Sequence, residues 1–158
     1  TPAVWNQNKA SFNAKNNTTV TGMQYKAAEG FTLAFQNGWE KEAYTNGKIW
    51  QVATLRPGKY RLEVTYAYTM VVSDAGNFIS ALMAKGNSES DIPNVADIEQ
   101  LNGVCAIYDK AGTNDDSGVL VTPSFEVTET TDVVIGFLTS LAKGNSYFKV
   151  TELKLILE

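Results

Sequence analysis

The residues of this chain best suited to chemistry are aromatic rings set among amides and carboxylates. Trp39, Tyr44 and Tyr147 fall in polar stretches that also hold Asp74, Asn77 and Asn145. Such a set can recognise a sugar, because a ring face stacks on the apolar C–H face of a pyranose while the polar groups hydrogen-bond its hydroxyls. Each ring taken singly has a competing structural role, since tryptophan and tyrosine routinely serve as half-buried core. Trp5 and Trp50 read as core or edge packing. A second candidate is the run "DKAGTNDDSG", in which Asp109, Asp115 and Asp116 supply hard oxygen ligands of the kind a structural calcium takes. The run lacks EF-hand spacing and a closing glutamate, and a solvated acidic turn has the same composition.

Other chemistries are excluded by what is missing. There is no histidine, which removes the commonest general base, the Ser-His-Asp and Cys-His arrangements, and the usual zinc and copper sites. A carboxylate-dependent glycoside hydrolase needs two carboxyls about 5 to 10 Å apart. Glu40, Glu42, Asp74 and Asp116 are the candidates, and no spacing singles out a pair. No glycine-rich phosphate loop follows a strand and opens a helix, so no nucleotide cofactor is expected. The net charge is −4, and Arg56 and Arg61 are the only arginines, which argues against a nucleic-acid partner. No signal peptide, lipidation site or membrane span is visible, and the opening Thr1-Pro2 reads as a processed protein or an excised fragment. Cys105 is the single cysteine and has apolar neighbours on both sides, so it reads as a buried thiol packing as a small hydrophobe.

The elements that must position these residues are strands. The 158 residues suit one domain, 1–158, with residues 1–20 an irregular lead-in because 6–19 are so polar. Apolar alternation of period two recurs, and helical periodicity is scarce. Trp50, Val52 and Thr54 oppose Ile49, Gln51, Ala53 and Leu55. Pro57-Gly58 then turns the chain, and Tyr60, Leu62, Val64, Tyr66, Tyr68, Met70 and Val72 share one face of a long strand whose first half must be core. Further strands are expected around 31–35, 77–84, 103–108, 119–127, 133–139 and 147–157, giving about eight in an all-β antiparallel sandwich, with a short helix or crossover near 89–100. In the last strand Phe148 and Val150 have one parity and Leu153, Leu155 and Leu157 the other, which predicts a bulge near Thr151-Glu152. "FISALMAKGNS" and "FLTSLAKGNS" look alike, as two strands each running into a Gly-Asn turn do.

Alternating strand direction sends connections to two ends of the sandwich. Pro57-Gly58, the 129–132 turn and the segment after Ala84 fall at one end. The segments 36–48, 73–76, 109–117 and 140–146 gather at the other, which carries nearly all the candidate site residues.

"NGKIWQVATLRPGKYRLEVTYAY", 46–68, resembles galactose-binding-like jelly-roll domains: an aromatic and a glutamine on one strand, then Leu-x-Pro-Gly-Lys-Tyr-x-Leu into the next. It looks most like uncharacterised C-terminal modules of surface lipoproteins from glycan-foraging gut anaerobes. "YFKVTELKLILE", 147–158, is similar to the last strand of that fold. The resemblance implies a jelly-roll sandwich and a glycan bound without catalysis at loops on one end. It further implies a structural calcium and an extracellular or cell-surface location, lipid-anchored in a full-length form with other domains. It carries over no individual ligand residue. The rival readings are a structural or protein-interaction module that docks a neighbouring domain, favoured if Trp39 and Tyr44 pack inward, and the hydrolase above.

Overall fold

The computed structural model describes residues 5–15, 19–26, 32–38, 43–73, 75–112, 115–142 and 144–158. Among them, period-two alternation resolves into strands β1 (Asn6–Gln7), β2 (Phe12–Lys15), β3 (Thr19–Lys26), β4 (Thr32–Asn37), β5 (Tyr44–Leu55), β6 (Gly58–Thr69), β7 (Phe78–Lys85), β8 (Gly103–Ile107), β9 (Asp116–Val121), β10 (Phe125–Val127), β11 (Thr131–Leu141) and β12 (Ser146–Leu157). They form two antiparallel sheets, in the orders β1-β5-β11-β7-β8 and β10-β6-β12-β4-β3-β2, with β9 also on β6. The expected 119–127 strand is two strands, β9 and β10. The break falls where Pro123 cannot donate to a ladder and Thr122 bonds Leu62 through both its amide and its hydroxyl.

Among its described residues the lead-in is not irregular but holds strands. β1 pairs with β5, and β2 with β3 at the margin of the second sheet. Strands at a margin are held by backbone bonds and need no apolar alternation, so their polar composition hid them.

Between the sheets lies the main core, with Phe35, Phe137 and Phe148 fully buried and ring centroids 5.0 Å apart for Phe35 and Phe137. Leu62, Met83, Val127 and Val133 continue it toward the tight-turn end. Trp5 packs against its margin, 6.2 Å from Phe137. A second core lies on the outer face of the first sheet, where the opposite parity of β7 and β11 presents Leu82, Ala84, Val134 and Leu138 beside Trp50. The crossover after Ala84 covers it with two 3₁₀ turns, Glu89–Asp91 and Val95–Gln100, burying Ile92 and half-burying Val95, Ile98, Leu101 and Cys105. Lys48 Nζ donates to Ile92 O at 2.6 Å, and Asn46 Oδ1 accepts from Val95 N at 2.8 Å, so β5 grips the crossover. Burial on both faces explains why residues 133–141 read as a nearly unbroken apolar run. Gly136 sits opposite Trp50 because a Cβ there would collide with Ile49 O.

Three register shifts reset the parity of neighbouring strands among the described residues, the first in β5, which advances three residues from Tyr44 to Gly47 while β11 moves two from Leu141 to Thr139. In β12 the shift between Val150 and Glu152 places the expected bulge at Thr151 and keeps Phe148 and Val150 inside while Leu153 and Leu155 turn inward as well. In β6 alternation holds through Tyr66 and then fails. Between Tyr66↔Val150 and Met70↔Tyr147, β6 advances four residues and β12 three; between Tyr66↔Gly118 and Thr69↔Asp116, β6 advances three and β9 two. The extra residue leaves Tyr68 65% exposed at φ 53° and sends Thr69 and Val71 inward, so the face shared by Tyr60 to Val72 is core only over its first half, as expected. A left-handed conformation costs a bulky residue about 1–3 kcal/mol, which the flanking pairings must offset.

Candidate functional site

The strand register gathers the four longer connections at one end. Leu141 pairs with Tyr44, Ser146 with Asn37, Ser140 with Phe78, Ser80 with Ile107 and Thr69 with Asp116, so the segments following Asn37, Thr69, Ile107 and Leu141 share a rim. Cross-links tie them together. Met70 and Tyr147 exchange both backbone bonds, Val72 N donates to Ser146 Oγ at 3.0 Å, and Gly112 N donates to Val71 O at 2.7 Å.

Within this rim a cleft of about 140 Å³ opens between the 70–77 and 108–111 segments. Val71, Phe78 and Ile79 supply apolar surface, and Asn77, Asp109 and Lys110 supply polar groups. That volume falls below the range of about 300–1,000 Å³ usual for drug-sized ligands, so the cleft suits one ring or chain end. Tyr108 forms a wall, its ring 5.2 Å from Tyr66 and 5.1 Å from Phe148, and its hydroxyl donates to Asp116 Oδ2 at 2.7 Å. Lys110 Nζ lies 3.5 Å from the same carboxylate and 3.4 Å from the Tyr66 hydroxyl. The Tyr108 hydrogen bond foremost, and then the Lys110 ammonium, hold the Asp116 carboxyl below its usual range. The Tyr66 hydroxyl, followed by Asp116, raises Lys110. The cluster is therefore an ionised lip, with the charge on Asp116 already matched.

The expected site residues fare unequally. Trp39 and Asp74 lie outside the described residues, as do Glu40 and Glu42. Tyr44 is 7% exposed, its hydroxyl 3.0 Å from Thr139 Oγ1, and burial holds its phenol well above the ordinary range. It is a core residue and not a stacking platform: plain alternation from Ile49 would put it on the outer face, and the register shift between Gly47↔Thr139 and Tyr44↔Leu141, where β5 holds one extra residue, turns it into the main core. Asn77 lines the cleft but acts as a brace, donating to Val72 O at 2.7 Å and accepting from Ala142 N at 2.8 Å. Asn145 is an exposed turn residue at φ 64°. Tyr147 is half-buried, with Lys149 Nζ 5.4 Å from its ring centroid.

The proposed metal ligands are not brought together. Asp109 and Asp115 are exposed, Asp116 is held by Tyr108 and Lys110, and among the described residues no three His, Cys, Asp or Glu side chains are placed to hold a metal ion. An ammonium 3.5 Å from the central carboxylate is itself unfavourable to a divalent cation there. These residues do not fit a calcium ion.

Sequence reasoning missed Tyr68, Tyr108 and Lys110. Tyr108 ends an ordinary alternating strand, Lys110 belonged to the acidic run, and alternation put Tyr68 on the same strand face as Tyr66; no local signal marks the extra residue in β6.

A family model described as a domain of unknown function, DUF5013, matches residues 1–136. The chain belongs to that family. No curated protein matches it. Among solved structures it is similar to TmCBM61, a carbohydrate-binding module in complex with beta-1,4-galactotriose, with a TM-score of 0.54 and 12% identity over 99% of this chain and 89% of the other. At that identity the likeness is one of fold. The DUF5013 chain is thus an antiparallel β-sandwich of the jelly-roll kind, as the 46–68 resemblance implied. Among the described residues no helix is long and apolar enough to cross a membrane.

Proposed function

We propose that this DUF5013 chain is a non-catalytic carbohydrate-binding module that takes glycan on the loop rim around the cleft. The observation that carries the reading is the fold shared with a carbohydrate-binding module solved with a galactotriose. The cleft supports it, since its mostly polar lining, with Asp109 and Lys110 beside Phe78, offers a sugar hydrogen-bonding groups next to a limited apolar surface. Trp39 and Asp74, which the sequence reading names as ligand-binding residues, stay with the site as part of this proposal. The same reading places the module outside the cell, in a lipid-anchored surface protein with further domains, as its sequence resemblance implies. A second reading, an interaction module that docks a neighbouring domain, is favoured by the inward packing of Tyr44, which removes one ring from the rim.

The test is a glycan array probed with the wild type, Asp109→Ala and Lys110→Ala, with thermal unfolding followed in parallel. Binding to at least one glycan is expected, reduced by either substitution without a change in unfolding midpoint. Silence of the wild type across the array, where surface density compensates for weak single contacts, transfers the assignment to the interaction module.

A further inference from the structure

We infer that Tyr68 is a second sugar-stacking platform, on the outward face of the second sheet beside the rim, and that the glycan is an extended chain reaching from the cleft onto that face. The inference rests on the carbohydrate-binding reading above and adds a surface outside the cleft. Among the described residues Tyr68 is the most exposed of the large hydrophobic ones, and no hydrogen bond or ring contact engages it. Its exposure is built into the strand pairing. Uninterrupted alternation would bury the ring beside Tyr66, and a single extra residue, accommodated by a backbone conformation that aromatic residues rarely adopt, turns it out. Strain of this kind survives where the surrounding structure enforces it, here by pairing on both sides of β6, and it clusters at ligand contacts.

The register defines the neighbours. Ala67 and Tyr68 together oppose Lys149 on β12 and Ser117 on β9, and Tyr147 lies one diagonal step away. Phe148 and Val150 point inward, so Tyr147 and Lys149 share the outward face with Tyr68. The Lys149 ammonium stands over the Tyr147 ring, which leaves Tyr68 as an uncovered ring among the described residues of this face. One projecting aromatic ring on a strand face matches the apolar C–H face of a pyranose. Val71, at the cleft, is three residues along the same chain, about 10 Å at the usual strand rise, so one oligosaccharide can touch both places.

The test is affinity electrophoresis of the wild type, Tyr68→Ala, Tyr68→Gly and Asp109→Ala in gels containing beta-1,4-galactan, arabinogalactan, xyloglucan or polygalacturonate, with oligosaccharide competition and thermal unfolding. The expected result is retardation of the wild type by at least one polymer, with affinity lowered about tenfold, the equivalent of 1.4 kcal/mol, by Tyr68→Ala. Competition by oligosaccharides should strengthen with chain length in the wild type, and Tyr68→Ala should remove that gain. Tyr68→Gly should leave the unfolding midpoint unchanged or raise it, because glycine accepts the positive φ. Retardation that Asp109→Ala abolishes and Tyr68→Ala leaves intact overturns the platform and preserves the rim site. A lowered midpoint in Tyr68→Gly makes the ring structural and also overturns it. Failure of every polymer to retard the wild type removes both readings together. A concentration-dependent dimer that Tyr68→Ala dissolves, with polymer retardation unaffected, assigns the ring to self-association instead.

Discussion

Replacing Tyr44 separates core from site in this fold. The ring is 7% exposed at the first residue of β5 and packs over Gly47, where a Cβ would come within 2.8 Å of Tyr44 Cε2. Its hydroxyl and Thr139 Oγ1 satisfy each other in a region where Thr139 is fully buried. Tyr44→Phe keeps the ring and leaves Thr139 without that partner, a loss of about 1–2 kcal/mol, or roughly 2–8 °C in unfolding midpoint for a domain of this size. Tyr44→Ala adds the loss of a buried aromatic ring, in total about 3–5 kcal/mol and roughly 6–20 °C. The assay is paired: urea unfolding for stability, and glycan retention measured at a temperature where both variants are folded. Retention per folded molecule should match the wild type in Tyr44→Phe. Loss of retention in Tyr44→Phe with an unchanged unfolding midpoint would refute the burial argument and return the ring to the ligand surface.

Two further outcomes follow from the same structure. Ile92→Ala unseats the crossover from the outer core at a cost of about 2–5 kcal/mol, and it should speed both hydrogen exchange over 86–102 and alkylation of Cys105, whose thiol burial pushes up; an unchanged alkylation rate would show that the crossover does not shield the thiol. Asp116 titrates below its unfolded value of about 3.9, so its contribution to stability is fully present above that value and is lost as the pH falls through the depressed folded one. Tyr108→Phe removes the largest cause of the depression, and the Asp116 carboxyl resonance should then titrate at higher pH; an unmoved midpoint would mean that Lys110 alone sets it.

Where a residue's role depends only on parity along its own strand, local reading was sufficient. Tyr60, Leu62, Val64 and Tyr66 are buried as alternation requires, and the parity change between Val150 and Leu153 marked the β12 bulge, because misplacing either apolar set would have exposed it. The sharing of one rim by four connections was also legible, since antiparallel hairpins alternate ends by geometry. The strands β1, β2 and β3 were not legible, because their order comes from backbone pairing with neighbouring strands, β1 and β2 at a sheet edge and β3 between β2 and β4. Asn77 shows the same boundary at the site: its amide reads as a ligand group until Val72 O and Ala142 N, from two different rim segments, occupy it.

The sequence by itself therefore determined the all-β class, the turns, the main core stripe and the absence of imidazole chemistry, all consequences of residue type and period. Tertiary structure alone decided that Tyr44 is core, that Tyr68 is surface, and that Asp116 is matched by Lys110 and Tyr108. The physical reason is that each of these depends on what a neighbouring strand or loop places within a few ångströms. Residue spacing along a single strand carries no record of such partners, nor of the one extra residue that β6 holds relative to β9 and β12.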